Sequence, residues 1–224
     1  MTTPGDEKHA VLWSGGKDSC MALWRARETG VRVAGLVNFF DEASERVRFH
    51  AVRAGLIAEQ ARALGLELFQ YATGPDTFTS LFGEALKKLE ARGYAGVVAG
   101  DLHLEDVRQW NEEQAAAAGL RLVEPLWHRG GLPMLEAFVA AGFRAVLTSC
   151  DDRWSDILRP GREIDQKFIA DVSRAPGLDP CGENGEYHSF VFDGPLFSHP
   201  VKWSPGEMRR ANGFSQLDLV PESE

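Results

Sequence analysis

The chain reads as an α/β protein: a Rossmann-like five-stranded parallel sheet followed by a second, smaller α+β lobe. Three observations predict this. Apolar strand-like runs and helix-period stretches alternate five times over about the first 125 residues, a pattern that gives a parallel sheet covered by helices. A turn with two glycines, Ser14-Gly15-Gly16-Lys17-Asp18-Ser19, joins the first strand to the first helix. Beyond Trp127 the alternation stops and a stretch richer in charge and glycine begins, which divides the chain into residues 1–125 and 126–224.

Each element follows from its local pattern. The first strand is the apolar run 10–13, and the first helix spans about 17–29, with Cys20, Leu23, Trp24 and Arg27 on one face and Gly30 as its stop. Residues 31–38 form the second strand. A polar loop, 41–48, leads into a helix over about 50–64 that ends at Gly65. Its start carries Arg48, Phe49, His50 and Arg53, where His50 is either a cap or a group reaching an anionic ligand. The third strand is 66–71. A regular helix follows, with Phe78, Leu81, Phe82, Ala85, Leu86 and Leu89 as a core stripe and Asp76 or Thr77 as its cap. The fourth strand, 95–99, opens into Gly100-Asp101. A helical face of Val107, Trp110, Gln114 and Ala118 precedes the fifth strand, 120–123. The second lobe should hold a helix over 134–141, a strand over 144–149, a helix over 164–172 and a strand ending at Phe192. The tail from Lys202, with its acidic end, is expected to be partly disordered and is assigned no role.

Composition narrows the function classes. With 44% hydrophobic and 25% charged residues the chain is an ordinary globular protein. A net charge of −9 weighs against nucleic-acid binding, which needs a basic face. Residues 1–10 have neither a basic nor an apolar leader region, and no apolar run is long enough to span a bilayer, so a cytoplasmic protein is expected. The cysteines, Cys20, Cys150 and Cys181, show no paired spacing. Cys20 reads as a packing residue, and a zinc site from Cys150, Cys181 and His188 is poorly supported.

The chemistry concentrates in two stretches. A strand turning through glycines into a helix offers backbone N–H groups at a positive helix end, which suits phosphate. Lys17 adds a point charge, Asp18 a hard oxygen for Mg²⁺, and Ser14 and Ser19 hydroxyls. The spacing is not that of a Walker loop. SGGKDS instead resembles the PP-loop of ATP pyrophosphatases, which implies ATP and Mg²⁺ with Asp18 as the metal ligand. In a sheet of this kind ligands lie outside the carboxyl ends of the strands. That rule gathers the loop, Asn38, Gly100 and Asp101 into one crevice, with the second lobe docked over it. The resemblance places Asn38, Phe39 and Phe40 beside the adenine; core packing is the alternative for the two phenylalanines.

The second stretch is GENGEYHSF, residues 182–190, where glycines alternate with Glu183, Asn184, Glu186 and His188. A polar hairpin turn is the plain alternative. The two motifs together resemble the diphthine–ammonia ligase family. The likeness continues through FHAVRAGLIAEQARALGL, the Gly100-Asp101 loop and EPLW, covering roughly residues 8–197. It implies an adenine nucleotide alpha hydrolase-like fold and a ligase that makes an amide from a carboxylate and ammonia. The route is an acyl-adenylate, with release of AMP and pyrophosphate, and the acceptor is diphthine on elongation factor 2. Lys17 and Asp18 would act on the departing pyrophosphate, and Glu183, Glu186 and His188 are the candidate bases. The family commonly carries Tyr-Gln and an Arg after the fourth-strand glycine, where this chain has Val107-Arg108-Gln109-Trp110-Asn111; that segment is expected to face the second substrate. Nothing resembles a glutaminase, so free ammonia is the expected nitrogen donor. The alternatives are a PP-loop ATPase acting on tRNA or a small metabolite, and a non-catalytic ATP-binding protein. Homo-oligomerisation is left open.

Overall fold

The computed structural model describes residues 7–222. The absence of a leader read from residues 1–6, and the last two residues of the acidic end, lie outside the described residues. In chain order the elements are β1 (Lys8–Leu12), α1 (Lys17–Glu28), β2 (Arg32–Asp41), α2 (Ala54–Leu64), β3 (Glu67–Thr73), α3 (Phe78–Ala91), β4 (Tyr94–Val98), α4 (Glu105–Ala117), β5 (Arg121–Val123), α5 (Gly131–Ala140), β6 (Arg144–Asp151), α6 (Gln166–Val172), β7 (Tyr187–Asp193), β8 (Trp203–Ala211) and β9 (Phe214–Pro221). They form two compact units. One holds the chain up to Ser14, Asp18–Glu45 and Leu66–His128; the other holds Gly15–Lys17, Arg46–Gly65 and the chain from Arg129.

The first unit is the expected parallel sheet, in the order β3-β2-β1-β4-β5. The order reverses between β1 and β4, which sets the switch point of the sheet there. Its core gathers Val37, Phe69, Phe82, Leu86, Leu89 and Val97, with Phe39 and Trp110 packed against it. Truncating a fully buried side chain such as Leu86 to alanine costs about 2–5 kcal/mol. α1 buries more of its surface than one face: Met21, Ala22 and Ala26 join Cys20 and Leu23 inside, while Arg27 is exposed. Thr77 precedes α3 without capping it through its side chain. Its hydroxyl instead accepts from the Gly74 N–H at 2.8 Å, closing the turn before the helix.

The second unit is built on an antiparallel sheet, β7-β6-β9-β8. β6 is buried along almost its whole length, and Phe168 meets Tyr187 edge-on while Phe138 stacks on Phe143. Asp165 caps α6, its carboxylate accepting from the Phe168 N–H at 2.7 Å. Two expectations need correction. The tail from Lys202 is not disordered over its described part: it forms the β8–β9 hairpin, joined by Asn212-Gly213 with φ of +53° and +80°. An Asn-Gly pair with both φ positive is the turn that matches strand twist in a two-residue hairpin. The helix expected from residue 50 begins only at Ala54. Residues 46–53 form an arch whose neck is closed by an Arg46–Arg53 bridge and a Val47 N–H bond to the Val52 carbonyl. Phe49 and Ala51 sit at positive φ within it, which no helix accommodates.

Candidate functional site

In the first unit the site residues gather at the carboxyl ends of β1 and β4. The backbones approach so closely that a Cβ on Gly100 would lie 2.8 Å from the carbonyl carbon and oxygen of Asp18 and 3.1 Å from the Ser19 nitrogen. Only glycine permits this. Ser14 Oγ and Ser19 Oγ lie 3.3 Å apart across the loop. Asp101 is tied to α4 by the Asn111 amide, which donates to its Oδ2 at 3.1 Å. Burial, and then the Asp18 charge, push the Asp101 carboxyl up, and the Asn111 bond pulls it partly back. A third carboxylate, Glu124, pairs with Arg108 at 2.8 Å, and the Arg108 guanidinium covers the Trp127 ring. Burial raises Glu124, Arg108 opposes this, and the Asp101 charge adds to it. Glu105 and Asp106 stand exposed in the first turn of α4, where they complement the helix dipole.

Asn38 is buried with both ends of its amide engaged. Nδ2 donates to the Trp13 carbonyl at 2.8 Å and Oδ1 accepts from Gln70 at 3.2 Å, so it ties β2 to β3 and to the residue that follows β1. Phe39 belongs to the core alternative: it packs on Tyr71, Phe78 and Phe82.

In the second unit the glycine turn is held by distant residues. Gly15 takes φ +83° and its carbonyl accepts from Gln60 Nε2 at 3.0 Å and from the Val191 N–H at 2.9 Å. The Lys17 N–H was expected to be bare at the helix end; instead it donates to Ser189 Oγ at 3.1 Å, a cap supplied from β7. The Lys17 side chain is 2% exposed, its ammonium 4.7 Å above the centre of the Tyr187 ring. His50 lies with its ring 4.6 Å from that of His188 and its Nδ1 3.2 Å from the Ser189 carbonyl. Burial, then the His50 and Lys17 charges, hold the His188 imidazole well below its usual range, so it stays neutral.

The rest of the second motif is turn-building. Glu186 is buried and its Oε1 accepts from the Asp179 N–H and from Asn184 Nδ2 at 3.2 and 3.4 Å. Glu183 is half-buried, its N–H directed to Asp179 Oδ1. Cys181 donates from Sγ to the Gly131 carbonyl, and burial pushes the Cys20 and Cys150 thiols up. Among the described residues no three His, Cys, Asp or Glu groups are placed to hold a metal. Gln60, Ser189, Asn111 and Glu124 lie within the stretches singled out in the sequence, but the sequence alone assigns none of them its role as a site partner. Gln60 offered the one signal, an amide on the apolar stripe of α2.

A glycine loop carrying Lys17 and Asp18 after the first strand, at the switch point of a 3-2-1-4-5 parallel sheet, defines an ATP-using enzyme of the phosphate-loop α/β class. The comparisons narrow this. The diphthamide synthase N-terminal domain matches residues 7–122 and the diphthamide synthase C-terminal domain residues 131–218, and the chain belongs to that family. It is similar to the diphthine–ammonia ligase of Bos taurus, 24% identical over 217 residues that cover 86% of this chain and 81% of that protein. The Mus musculus enzyme of the same name is 24% identical, with 93% and 88% covered. That of Schizosaccharomyces pombe is 26% identical over 85% of this chain and 35% of its own greater length. Membership makes this chain an ATP-dependent, amide-forming ligase. Among the described residues no helix is long and apolar enough to cross a membrane.

Proposed function

We propose that the chain joins ammonia to the carboxylate of diphthine on elongation factor 2. ATP is bound by Ser14, Gly15, Gly16, Lys17, Asp18 and Ser19 together with Gly100 and Asp101, while the buried Asn38, proposed from the sequence for the same role, holds β2 in place through its amide instead. Residues 1–125 serve the nucleotide and residues 126–224 the acceptor. The observation that carries the reading is the close approach of the Gly100-Asp101 turn after β4 to the start of α1, where a Cβ on Gly100 would lie 2.8 Å from the Asp18 carbonyl carbon and oxygen; burial and then the Asp18 charge raise the Asp101 carboxyl there. Two hard oxygen donors that repel one another fit Mg²⁺, which is held by one or two carboxylates plus substrate phosphates. Bound there, the ion would neutralise charge on the phosphates.

The chain's own groups do the remaining work. The Lys17 ammonium, kept in place by the Tyr187 ring, stabilises negative charge on the departing pyrophosphate. The acceptor carboxylate attacks the α-phosphorus to give an acyl-adenylate, and ammonia displaces AMP. Of the groups expected to act as base, Glu186 already organises its turn and Glu183 lies beside it. The neutral His188 is the one suited to take the proton that the nitrogen loses as it forms the amide. Three free, buried cysteines accord with a reducing, cytoplasmic setting.

The test is ¹⁵N-ammonium with ATP, Mg²⁺ and elongation factor 2 bearing diphthine. Label should enter the factor as an amide with one AMP released. Lys17→Ala should lower AMP formation by about 100- to 1,000-fold, the scale for removing one preorganised charge-stabilising group. AMP formation at the parental rate in that variant would remove the loop from the chemistry, and strict dependence on glutamine would remove ammonia as donor.

A further inference from the structure

The second unit holds a cavity of about 510 Å³, within the size of a small-ligand site, roughly 300–1,000 Å³. Its walls include the rings of Phe49, His188 and Phe214 and the side chains of Ser149, Asn184 and Gln216; among the described residues no carboxylate, ammonium or guanidinium lines it. Two of the polar groups are oriented by the protein. Gln216 Nε2 donates to Ser149 Oγ at 3.3 Å and Asn184 Nδ2 to Glu186 Oε1 at 3.4 Å. Each amide spends one N–H on the protein and keeps a second N–H and its carbonyl oxygen for further hydrogen bonds.

Phe49 is the unusual wall. It is 75% exposed and has φ +64°, so it adds little to the core while straining the backbone, a combination found where a residue serves a ligand. Its ring stacks on His188 with centroids 6.1 Å apart. The arch that carries it is pinned at both feet to β9. Asp218 Oδ1 accepts from Arg46 at 2.7 Å and from Arg53 Nε at 3.0 Å, and Oδ2 accepts from Arg53 at 2.5 Å. The same arch places His50 on the Ser189 carbonyl, and Ser189 Oγ holds the Lys17 N–H. His188, which the cavity shares, feels the Lys17 charge. The cavity therefore adjoins the phosphate-loop lysine.

We propose that this cavity receives the end of the acceptor remote from its reacting carboxylate. The group it takes is planar, able to hydrogen-bond and without negative charge, Phe49 sets which acceptor enters, and Asp218 positions Phe49. Three ring faces favour a flat group, two amides offer it hydrogen bonds, and an anion would find no cation to pair with there. The proposal rests on the ligase reading given above.

Nicotinamide, flat and neutral with N–H donors, and nicotinate, its anionic counterpart, are the probes, titrated into the full chain without nucleotide. Nicotinamide should bind at least tenfold more tightly. Phe49→Ala and Gln216→Leu should each weaken it at least fivefold, Phe49→Tyr should restore it, and Asp218→Asn should weaken it as Phe49→Ala does. Equal binding of nicotinate, or an unchanged dissociation constant in Phe49→Ala, overturns the proposal. In the amidation assay Phe49→Ala should raise the KM for diphthine-bearing elongation factor 2 at least fivefold and leave that for ATP within twofold; the reverse pattern also overturns it. If the parent chain forms no AMP with that factor, the ligase reading fails, and the nicotinamide titrations still decide the cavity.

Discussion

Gly100→Ala tests whether the approach of β4 to the start of α1 builds the nucleotide site. The new methyl would lie 2.8 Å from the Asp18 carbonyl carbon and oxygen and 3.1 Å from the Ser19 nitrogen, all backbone atoms. None can rotate aside, so reaching ordinary contact at 3.4 Å needs a shift of about 0.6 Å between the two segments. Forced overpacking of this kind costs about 1–3 kcal/mol. In a chain of this length that lowers the melting temperature by about 2–12 °C. The effect on catalysis should be larger, because the segment displaced carries Asp18 and Ser19. Misplacing catalytic groups by less than a bond length costs up to about 100-fold in rate. The assay is AMP release at saturating ATP, Mg²⁺ and acceptor, beside a thermal melt. A melting temperature and a kcat both within error of the parent would refute the close approach and the site built on it.

Three further outcomes follow from single residues. Gly83 lies inside α3 with nothing within 4 Å of a built Cβ, so Gly83→Ala should raise stability by about 0.5–1 kcal/mol and leave AMP formation unchanged; destabilisation would show a neighbour the geometry lacks. The Arg53 and Arg46 guanidiniums hold the Asp218 carboxyl below its usual range. Its stabilisation is therefore present above the unfolded value of about 3.9 and lost as pH falls through the lower folded one. The gap in melting temperature between the parent and Asp218→Asn should be full at about pH 6 and close below about pH 4, and a gap independent of pH would refute the latch. His188 is a base held low, so the unfolded chain takes up its proton first and stability from this group falls as pH drops below about 6.5. Its ring protons should hold their NMR shifts through that pH, and a midpoint near 6.5 would contradict its burial beside Lys17 and His50.

Much of this molecule was legible because its determinants are local. The five parallel strands announce themselves as apolar runs, and SGGKDS as a strand–turn–helix junction, since glycine and charge positions alone set both. The failures come from partners far along the chain. The helical pattern of residues 54–64 extends back through His50 on paper, but Asp218, 172 and 165 residues from Arg46 and Arg53, folds that segment into an arch. The β8–β9 hairpin carried its own signal in Asn212-Gly213. The strands around it are masked in the sequence because β8 is an edge strand exposed along most of its length, bearing Glu207, Arg209 and Arg210. Edge strands are kept charged to prevent unwanted pairing, which erases the apolar run that marks a strand.

The two motifs that carry the family resemblance stand far apart in sequence, yet in the second unit they form one hydrogen-bonded structure. Ser189 ends the GENGEYHSF motif one residue before its last, and its hydroxyl takes the Lys17 N–H, 172 residues away. Val191 gives its N–H to the Gly15 carbonyl, and the buried Gln60 amide bridges that carbonyl and the Val191 carbonyl at 3.0 and 2.6 Å. A buried amide without partners would destabilise the core, whereas here its two bonds tie the Gly15 peptide of the loop to β7. Glycines give the loop its freedom, so on their own they cannot give it a shape. The shape comes from β7 and α2, which makes the second motif a structural support for the loop and for Lys17 at its end.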